Sequence, residues 1–453
     1  MTNSIQSGRY GHSVFMYGTL QRYDMKAIKD EGLGVFMGKG IIEGLDFFGQ
    51  GILREHGKCL FLKNGLPGEN VEYQITVSKR NYAKGTVLKI AEESPHRVTP
   101  PCPHFGRCGG CSFQHCDEET ELTAKENHVK NVLYRIGGLQ DFNMLPLDRQ
   151  RPMYHYRNKV TWHMRHGQTG FFIKGSKDWI PIDHCMLLAK PLSIATDAIN
   201  KIGLRHSKTI MLRTNEKGEL FAVINGGTCQ DATKLSTQCS LIKGVATAEN
   251  IDGKMPLITL GKYCYEVTPG SFFQINFTEM EALITFVKEH MLLPKKDGIL
   301  LDLYCGVGTL GITFSKYFQE IWGIESYSEA VPVAQRNAAN NGVCGHYIAA
   351  KTEDSLETLI HRIPTPHTVV VDPPRSGLAP SAAKTLSQCG AQQIIYISCD
   401  PATLSRDLKI LKDNYKINLV KPFNLFPRTS HLETVVLLQK NDPMNRNKIN
   451  YMG

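Results

Sequence analysis

A cysteine lies where a strand gives way to a helix, at Cys399 in the stretch 397–401. The apolar run 393–396 precedes it, and a helix-like stretch over 402–408 follows it. A thiol at a helix N-terminus faces the positive end of the helix dipole, which favours the nucleophilic thiolate. The alternative is a buried cysteine that acts only as a small apolar side chain. The position predicts a nucleophile, provided that other catalytic groups lie close by.

Two carboxylates fall at comparable strand ends. Asp372 follows the apolar run 368–371 and opens an Asp-Pro-Pro turn, and Glu433 starts an apolar strand that reaches Leu438. Because ligands bind at the carboxyl ends of parallel strands, Asp372 is expected beside a cofactor crevice. Glu433 and His431 lie on the same side of their strand, so either is a candidate base. A turn-capping aspartate and a polar strand start are the plain alternatives.

A glycine-rich turn over 305–311 lies between two apolar strands, 299–304 and 320–325. Such a strand–turn–helix–strand unit is a nucleotide-binding half of a doubly wound sheet. Glu325 ends the second strand, where it is placed to accept hydrogen bonds from a ribose diol. The turn spells G-x-G-x-x-G, so a dinucleotide cofactor also fits, as do glycines that only permit tight helix–strand packing.

Cysteines crowd into one short segment that contains two adjacent glycines. Two residues separate Cys108 from Cys111, and five separate Cys102 from Cys108. Such crowding of thiols indicates a zinc or an iron–sulfur site, and the spacing does not choose between the two. Three ligands need a fourth, for which Cys116 is the local candidate and Cys185 the distant one.

The composition is that of a globular protein with a modestly basic charge. A chain of 453 residues is too long for one core and predicts two to three domains. The net charge of +9 leans toward a polyanionic partner. The first 33 residues carry no signal-peptide pattern, and no stretch approaches a membrane helix, so a cytoplasmic location is expected. Thirteen clustered cysteines then indicate metal binding or catalysis rather than a secreted disulfide framework.

The chain divides into three patterns. Residues 38–91 contain five short strand-like runs separated by glycine, proline and asparagine, which suggests a small barrel of the oligonucleotide-binding type. From residue 298 onward, strands alternate with helices. Between them, the stretch 148–166 interleaves cations with aromatic rings, which fits either single-stranded RNA binding or a cationic strand with one buried face. Its members are Arg149, Arg151, Arg157, Lys159 and Arg165 with Tyr154, Tyr156 and Trp162.

Taken together, these features resemble the RNA (uracil-5-)-methyltransferases. The resemblance is to the branch that has an N-terminal TRAM domain and a four-iron, four-sulfur (4Fe–4S) cluster and modifies 23S ribosomal RNA. It extends over 38–438. The segments that carry it are 101–111, Tyr156-Arg157-Asn158-Lys159, Ser271-Phe272-Phe273-Gln274-Ile275-Asn276, Asp302-Leu303-Tyr304-Cys305-Gly306-Val307-Gly308, Asp372-Pro373-Pro374-Arg375-Ser376-Gly377, Ser398-Cys399-Asp400-Pro401 and His431-Leu432-Glu433.

The resemblance implies an α/β fold with three domains. A Rossmann-like methyltransferase domain dependent on S-adenosylmethionine would follow an oligonucleotide-binding-like β-barrel (the TRAM domain) and a central α+β domain that carries the cluster. The expected divisions are an N-terminal extension over 1–34, the TRAM domain over 35–95, the central iron–sulfur and RNA-binding domain over 96–270, the methyltransferase domain over 271–440 and a polar tail over 441–453.

The resemblance also implies a set of site residues. It makes Cys399 the nucleophile and Glu433 the base. It places S-adenosylmethionine against Gln274, Tyr304, Glu325 and Asp372. It assigns the 4Fe–4S cluster to Cys102, Cys108, Cys111 and Cys185.

The expected partner is 23S ribosomal RNA, with the T-loop uridine of transfer RNA as the alternative, and the expected state is a monomer. Three other functions share part of these features. They are a nicotinamide-dependent dehydrogenase, a non-catalytic RNA-binding scaffold and a redox sensor built on the cluster.

Overall fold

The computed structural model describes residues 36–173, 175–247, 250–295 and 297–441. These residues form two compact units, of which one contains 36–44 and 50–94 and the other contains 45–49 and 95–441. The extension predicted over 1–34 and nearly all of the predicted tail lie outside the described residues. Within the described ranges, no helix combines the length and the apolar character needed to cross a membrane.

The first unit is built from β-strands, as predicted. Its strands are β1 Phe36–Ile41, β2 Gly44–Leu45, β3 Gln50–Glu55, β4 Lys58–Lys63, β5 Asn70–Ser78 and β6 Tyr82–Glu92, paired in the order β1-β5-β6-β4-β3-β2. Alternate residues of the strands, such as Val71 and Tyr73, fill the core. The first of the five predicted runs, 39–45, is divided between β1 and β2, because the backbone N–H of Ile42 bonds the carbonyl of Glu69 instead of continuing the strand.

The second unit opens with a helix and a mixed sheet. Its elements are α1 Glu118–Arg135, β7 Lys159–Arg165, β8 Gln168–Phe172, β9 Trp179–Pro181, α2 Lys190–Ile202, β10 Thr209–Thr214, β11 Leu220–Asn225, α3 Cys229–Gln238, β12 Ile242–Ala246 and β13 Ile251–Gly253. The strand order is β13-β12-β11-β10-β7-β8-β9. One face of this sheet packs against α2 and α3 through apolar residues that include Trp162, Leu212 and Leu235.

The same unit continues into a doubly wound sheet. Its elements are β14 Ile258–Leu260, β15 Tyr263–Tyr265, α4 Phe277–His290, β16 Ile299–Leu303, α5 Thr309–Phe314, β17 Glu320–Glu325, α6 Ala330–Asn340, β18 Gly345–Ala349, α7 Thr352–Ile360, β19 Thr368–Val371, α8 Pro380–Gln388, β20 Gln393–Ser398, α9 Pro401–Leu411, β21 Tyr415–Phe423 and β22 Glu433–Lys440. Strands β14 and β15 form a separate two-stranded sheet, and the other seven strands run in the order β18-β17-β16-β19-β20-β22-β21.

The first five of these strands are parallel, and β22 runs antiparallel to β20 and β21. Both faces of the sheet are covered, since Leu300 and its neighbour Leu301 belong to different core clusters. Strands buried on both faces are apolar throughout, which is why the sequence showed continuous apolar runs here. The carboxyl ends of β16, β17, β19 and β20 and the start of β22 therefore share one edge of the sheet.

Candidate active site

The turn from β20 into α9 carries Cys399. Asp400 is the N-cap of α9, and its carboxylate accepts the backbone N–H groups of Ala402 and Thr403, each at 2.9 Å. Pro401 occupies the first helical position, where its missing N–H is not needed. The short turn holds the half-buried thiol at the edge where the parallel strands end.

Glu433 lies next to Cys399 because of the antiparallel pairing of β20 and β22. Ser398 pairs with Thr434. Because the strands are antiparallel, the next position beyond this pair is Cys399 on one chain segment and Glu433 on the other. Asp372 leaves the neighbouring strand β19 at the same edge. Because β22 is antiparallel to its neighbours, its first residue, Glu433, lies at the carboxyl end of β20.

The Cys399 thiol keeps its proton in the free protein. Burial, followed by the negative charges of Glu433 and Asp372, raises the pKa of the thiol to about 12, while Arg375 opposes the rise. The expectation that the helix N-terminus favours the thiolate is therefore wrong for the free protein. Burial and the two neighbouring carboxyl groups outweigh the helix terminus, whose N–H groups are already capped by the Asp400 carboxylate.

The two carboxyl groups beside the thiol are also perturbed. Burial raises the pKa of Glu433 well above its ordinary value, Asp372 adds to the rise, and Arg375 opposes it. Burial raises the pKa of Asp372 to about 7. Glu433 is only 2% exposed, and its Oε2 atom has no hydrogen-bond partner within the described residues. The structure thus places a thiol beside two buried carboxyl groups with raised pKa values, an arrangement typical of sites that transfer protons.

The glycine turn after β16 adopts the open backbone that a phosphate- or nucleoside-binding turn requires. Tyr304, Gly306 and Gly308 all have positive φ angles, of 62°, 56° and 82°. Glu325 ends β17, as predicted, and accepts the N–H of Gly306 at 2.9 Å and that of Tyr327 at 2.6 Å. The carboxylate is thereby fixed against the turn.

Gln274 belongs to the segment that leads into α4. Its neighbour Phe273 packs near Tyr265, whose hydroxyl donates to the carbonyl of Thr309 at the start of α5. The Gln274 side chain is 6% exposed, and its Oε1 atom is buried without a hydrogen-bond partner among the described residues. A buried, unpaired amide oxygen is costly unless a ligand supplies the donor.

Asp302 is a site residue that the sequence reasoning did not single out. It is fully buried in β16, and its Oδ2 atom accepts the N–H of Gly311 at 2.8 Å. A Cβ atom at Gly311 would come within 2.8 Å of Ile321 and 3.0 Å of Asp302, so only glycine allows this approach of α5 to the sheet. The signal was available, because a charged residue inside an apolar strand requires a partner.

The four predicted cluster cysteines lie near enough to one another to interact electrostatically. Burial raises the pKa of Cys111 to about 12, and the nearby Cys185, Cys108 and Cys102 add to the rise. Cys116 is turned elsewhere, since its Sγ donates to the carbonyl of Phe113 at 3.3 Å. Over the described ranges, no three His, Cys, Asp or Glu side chains converge on a point suited to a single metal ion.

Comparison with known proteins decides the family. A family model described as tRNA (Uracil-5-)-methyltransferase matches residues 238–441, and the TRAM domain model matches 41–88. An RNA methyltransferase of Bacillus cereus is 30% identical over 441 residues, which are 88% of this chain and 96% of that protein. One from Caldanaerobacter subterraneus is 32% identical and covers 86% of this chain and 95% of its own length. The chain belongs to the RNA (uracil-5-)-methyltransferase family.

The fold agrees with this assignment. The chain is similar to the crystal structure of Pyrococcus abyssi tRNA (uracil-54, C5)-methyltransferase in complex with S-adenosyl-L-homocysteine, with a TM-score of 0.70 at 24% identity over 88% of this chain and 99% of that one. The predicted TRAM domain and Rossmann-like methyltransferase fold are confirmed. As a member of the family, the protein is an RNA uracil-5-methyltransferase that uses S-adenosylmethionine.

In this methyltransferase, two of the rings predicted to stack on RNA are structural. Trp162 is fully buried and donates from Nε1 to Thr196 at 3.0 Å, and the Tyr156 hydroxyl donates to the carbonyl of Pro427. Arg149 is also engaged, because it pairs with two glutamates of α1. The alternative of a strand with one buried face is therefore correct for Trp162 on β7, whereas Tyr156 and Arg149 precede that strand and make structural contacts of their own.

The opposite face of the same strands carries a different set, here called the aromatic–cation face. Trp162 and Phe171 stack on the core side, so the alternate residues of β7 and β8 point the other way. The Arg165 guanidinium lies 5.5 Å from the Phe172 ring and 6.0 Å from the Trp179 ring. Arg165 and Phe172 are exposed. The face consists of His163, Arg165, Phe172 and Trp179.

Proposed function

We propose that this enzyme methylates C5 of a uridine in 23S ribosomal RNA through a covalent bond between Cys399 and C6 of the uracil. The observation that carries the proposal is the grouping of Cys399, Glu433 and Asp372 at one edge of the sheet. A thiol beside two buried carboxyl groups suits chemistry that needs a nucleophile and then a base.

The nucleophile answers a chemical difficulty of uracil. Carbon C5 alone is too weak a nucleophile to take a methyl group at a useful rate. Cys399 gives up its proton to the Asp372 carboxylate, which leaves Glu433 unprotonated for the last step, and attacks C6. The electrons of the C5–C6 double bond then move onto C5 and O4 as an enolate. When bound, S-adenosylmethionine supplies an electrophilic methyl carbon for C5 to attack.

Glu433 completes the reaction. Its carboxylate removes the proton from C5, the C–H electrons restore the double bond, and the C6–S bond breaks to release the Cys399 thiolate. The burial that raises the pKa of Glu433 suits a group that must bind this proton. The target base must leave any RNA helix to reach the thiol, so a loop or a flipped-out nucleotide is the substrate.

The methyl donor fits the turn beside this group. We assign Gln274, Tyr304, Glu325 and Asp372 to it. The unpaired Oε1 atom of Gln274 offers an acceptor to a donor such as an amino group, and the Glu325 carboxylate stands where it would accept hydrogen bonds from a ribose diol. The positive φ angles of the turn let the backbone approach the ligand closely.

A 4Fe–4S cluster suits the four cysteines better than zinc. Each cysteine of such a cluster binds a different iron, so the thiols need only surround the cluster, whereas zinc requires four ligands around one point. Cys102, Cys108, Cys111 and Cys185 interact electrostatically without forming a single-ion site. Burial raises the pKa of Cys108 and Cys185, and the positive charge of Arg157 opposes that rise.

Iron analysis tests this assignment with a matched pair of variants. Anaerobically purified wild-type protein is expected to contain iron and acid-labile sulfide, and Cys185→Ser is expected to lose most of both. Cys116→Ser removes a fully buried thiol outside the set, and this variant should retain iron and sulfide. Equal iron content in the two variants would contradict the ligand set.

The T-loop uridine of transfer RNA is the second candidate substrate. The matching family model is named for transfer RNA, and so is the structurally similar Pyrococcus abyssi enzyme. The combination of a TRAM domain and a four-cysteine site favours ribosomal RNA, because it resembles the 23S enzymes most. Nucleoside mass spectrometry of 23S and transfer RNA from a deletion strain separates them. Loss of 5-methyluridine from 23S RNA, restored by the wild-type gene but not by Cys399→Ala, is the expected result, and loss from transfer RNA alone would favour the alternative.

A further inference from the structure

We propose that Arg428 is a positioning residue for Glu433, because it fastens the loop that carries the base to the cysteine-rich segment. The inference rests on the proposed function of Glu433 and extends it to a residue that touches neither substrate nor cofactor. Its consequence is that removal of the C5 proton depends on a contact outside the active site.

The loop between β21 and β22 is irregular but buried. Residues 424–432 form no helix or strand, and all of them except Phe426 and His431 are classed as buried. Side chains from other elements hold its peptide groups. Tyr156 donates to the carbonyl of Pro427 at 3.0 Å, and Glu121 accepts the N–H of Arg428 at 2.9 Å. The loop therefore takes its shape from these partners.

A buried ion pair on α1 faces the same loop. Lys125 and Glu121 are both fully buried, and their side chains meet at 2.8 Å. The Lys125 ammonium also donates to the Asn424 side chain at 2.7 Å and to the carbonyl of Phe426 at 3.2 Å. Buried charges persist only when they are fully paired, so α1 and the loop must keep this register.

Arg428 then joins the loop to the cysteine-rich segment from both sides. Its Nη1 atom donates to the carbonyls of Phe113 and Cys116, at 3.2 Å and 2.9 Å. Its own carbonyl accepts the N–H groups of Ser112 and Phe113, at 2.7 Å and 3.2 Å. The guanidinium lies 5.3 Å from the Tyr154 ring, and the residue has a φ of 65°. A left-handed backbone in an arginine persists only where the surroundings impose it.

The contacts of Arg428 link the segment that follows a proposed cluster ligand to the loop that leads into the proposed base. Ser112 directly follows Cys111, a proposed cluster ligand, and the chain runs from Arg428 into Glu433 within one short turn. Cys399 is held differently, by β20 and the capped start of α9. Loosening Arg428 should thus move the base while leaving the nucleophile in place.

The reaction has two parts that separate these residues. Attack at C6 and methyl transfer require Cys399, whereas loss of the C5 proton requires Glu433. With 5-fluorouridine RNA, fluorine replaces that proton, so the reaction stops at the methylated adduct and never uses the base. Adduct formation therefore reports on Cys399, and turnover of ordinary RNA reports on Glu433.

Arg428→Lys is the test variant, and Arg149→Lys is its control. Lysine keeps the charge but cannot donate to two carbonyls from a planar group. Arg149 is an arginine of similar kind that bonds Glu119 and Glu126 of the same helix, away from the loop. Arg428→Lys is expected to form the 5-fluorouridine adduct at a near wild-type rate and to turn over ordinary RNA about a hundredfold more slowly, because small misplacement of a base is costly. Methylated adduct should then accumulate on ordinary RNA, and Arg149→Lys should behave like wild type.

Hydrogen exchange measures the contact without any reaction. In Arg428→Lys, peptides that cover 112–116 and 426–433 should exchange faster, and in Arg149→Lys they should not. Unchanged exchange, unchanged turnover, or parallel loss of adduct formation and turnover would each overturn the proposal. A wild-type enzyme that forms no adduct and methylates no uridine would instead overturn the proposed function. Hydrogen exchange would still show whether Arg428 holds the loop to the cysteine-rich segment.

Discussion

At the scale of residues, the reactive thiol is kept protonated by its burial and by the negative charges beside it. The thiol of Cys399 is neutral in the free protein because burial, followed by the charges of Glu433 and Asp372, raises its pKa to about 12. A neutral thiol is a poor nucleophile toward solutes in general. The thiol is therefore expected to be unreactive until substrate binding changes the charges and the solvent exposure around it.

This predicts how Cys399 reacts with iodoacetamide. Its alkylation rate, followed by peptide mass spectrometry, is expected to rise about tenfold per pH unit between about pH 7 and pH 10 without a plateau. Asp372→Asn removes a negative charge, so it should lower the thiol pKa and speed alkylation at a given pH. Glu281→Gln, an exposed change on α4, is the control. A plateau below neutral pH in the wild type would contradict the protonated resting thiol.

At the scale of elements, a buried carboxyl group fixes the first helix of the nucleotide-binding unit. Burial raises the pKa of Asp302 to about 7. Since the folded pKa lies above the unfolded value of about 3.9, the stability that the neutral form provides is complete below that value. It is lost as the pH rises through the folded pKa.

Asp302→Asn tests this effect by thermal unfolding. The amide keeps an acceptor for the N–H of Gly311 and never ionises. The variant should therefore gain melting temperature over the wild type as the pH rises from about 4 to about 7, with a constant difference above that. Asp354→Asn, an exposed change on α7, should show no such trend. A difference that is independent of pH would show that Asp302 does not change its ionisation in this range.

The sequence predicted the positions of the strands better than it predicted which face of each strand is buried. The apolar runs and the glycine turn predicted β16, β17, β19 and β20 because two buried faces leave a continuous pattern. The stretch 148–166 misled for the opposite reason. Composition alone does not say which side of a strand is buried, and that face is set by α2 and α3, which come later in the chain. Trp162 therefore reads as a stacking ring until the packing is known.

Within the candidate site, residues at the ends of strands could be predicted from the sequence. The proximity of Glu433 to Cys399 and the raised thiol pKa could not, because both depend on pairing between strands that are distant in sequence. The positions of Cys399 and Asp372 follow from parallel strands that end at one edge. The neighbourhood of Glu433 depends on the antiparallel register of β22, and the raised thiol pKa depends on that neighbourhood. Phe172 and Trp179 were missed because neither lies within the basic stretch that drew attention.

At the scale of the whole molecule, the substrate is far larger than the active site. The aromatic–cation face offers rings for bases and a cation for phosphates, and we expect it to hold an unpaired stretch of RNA. Phe172→Ala is expected to weaken binding of a long RNA substrate roughly tenfold, a typical loss for one stacked base. Arg165→Gln should instead reduce the salt dependence of binding.

Tyr134→Ala provides the control for this surface. Tyr134 is an aromatic residue of α1 that is 56% exposed, so its removal tests for general effects of losing a surface ring. Fluorescence anisotropy with a labelled RNA measures all three variants. Equal affinities for the Phe172 and Tyr134 variants would exclude the aromatic–cation face from RNA binding.

The covalent bond between Cys399 and the RNA is the central step of the proposed mechanism. Wild-type enzyme incubated with S-adenosylmethionine and 5-fluorouridine-substituted 23S RNA fragments should form a stable methylated adduct, which peptide mass spectrometry after nuclease digestion should locate at Cys399. Cys399→Ala should form none, and Cys344→Ala, which removes an exposed thiol, should form as much as wild type. An adduct that persists in Cys399→Ala, or maps to another residue, would contradict the mechanism.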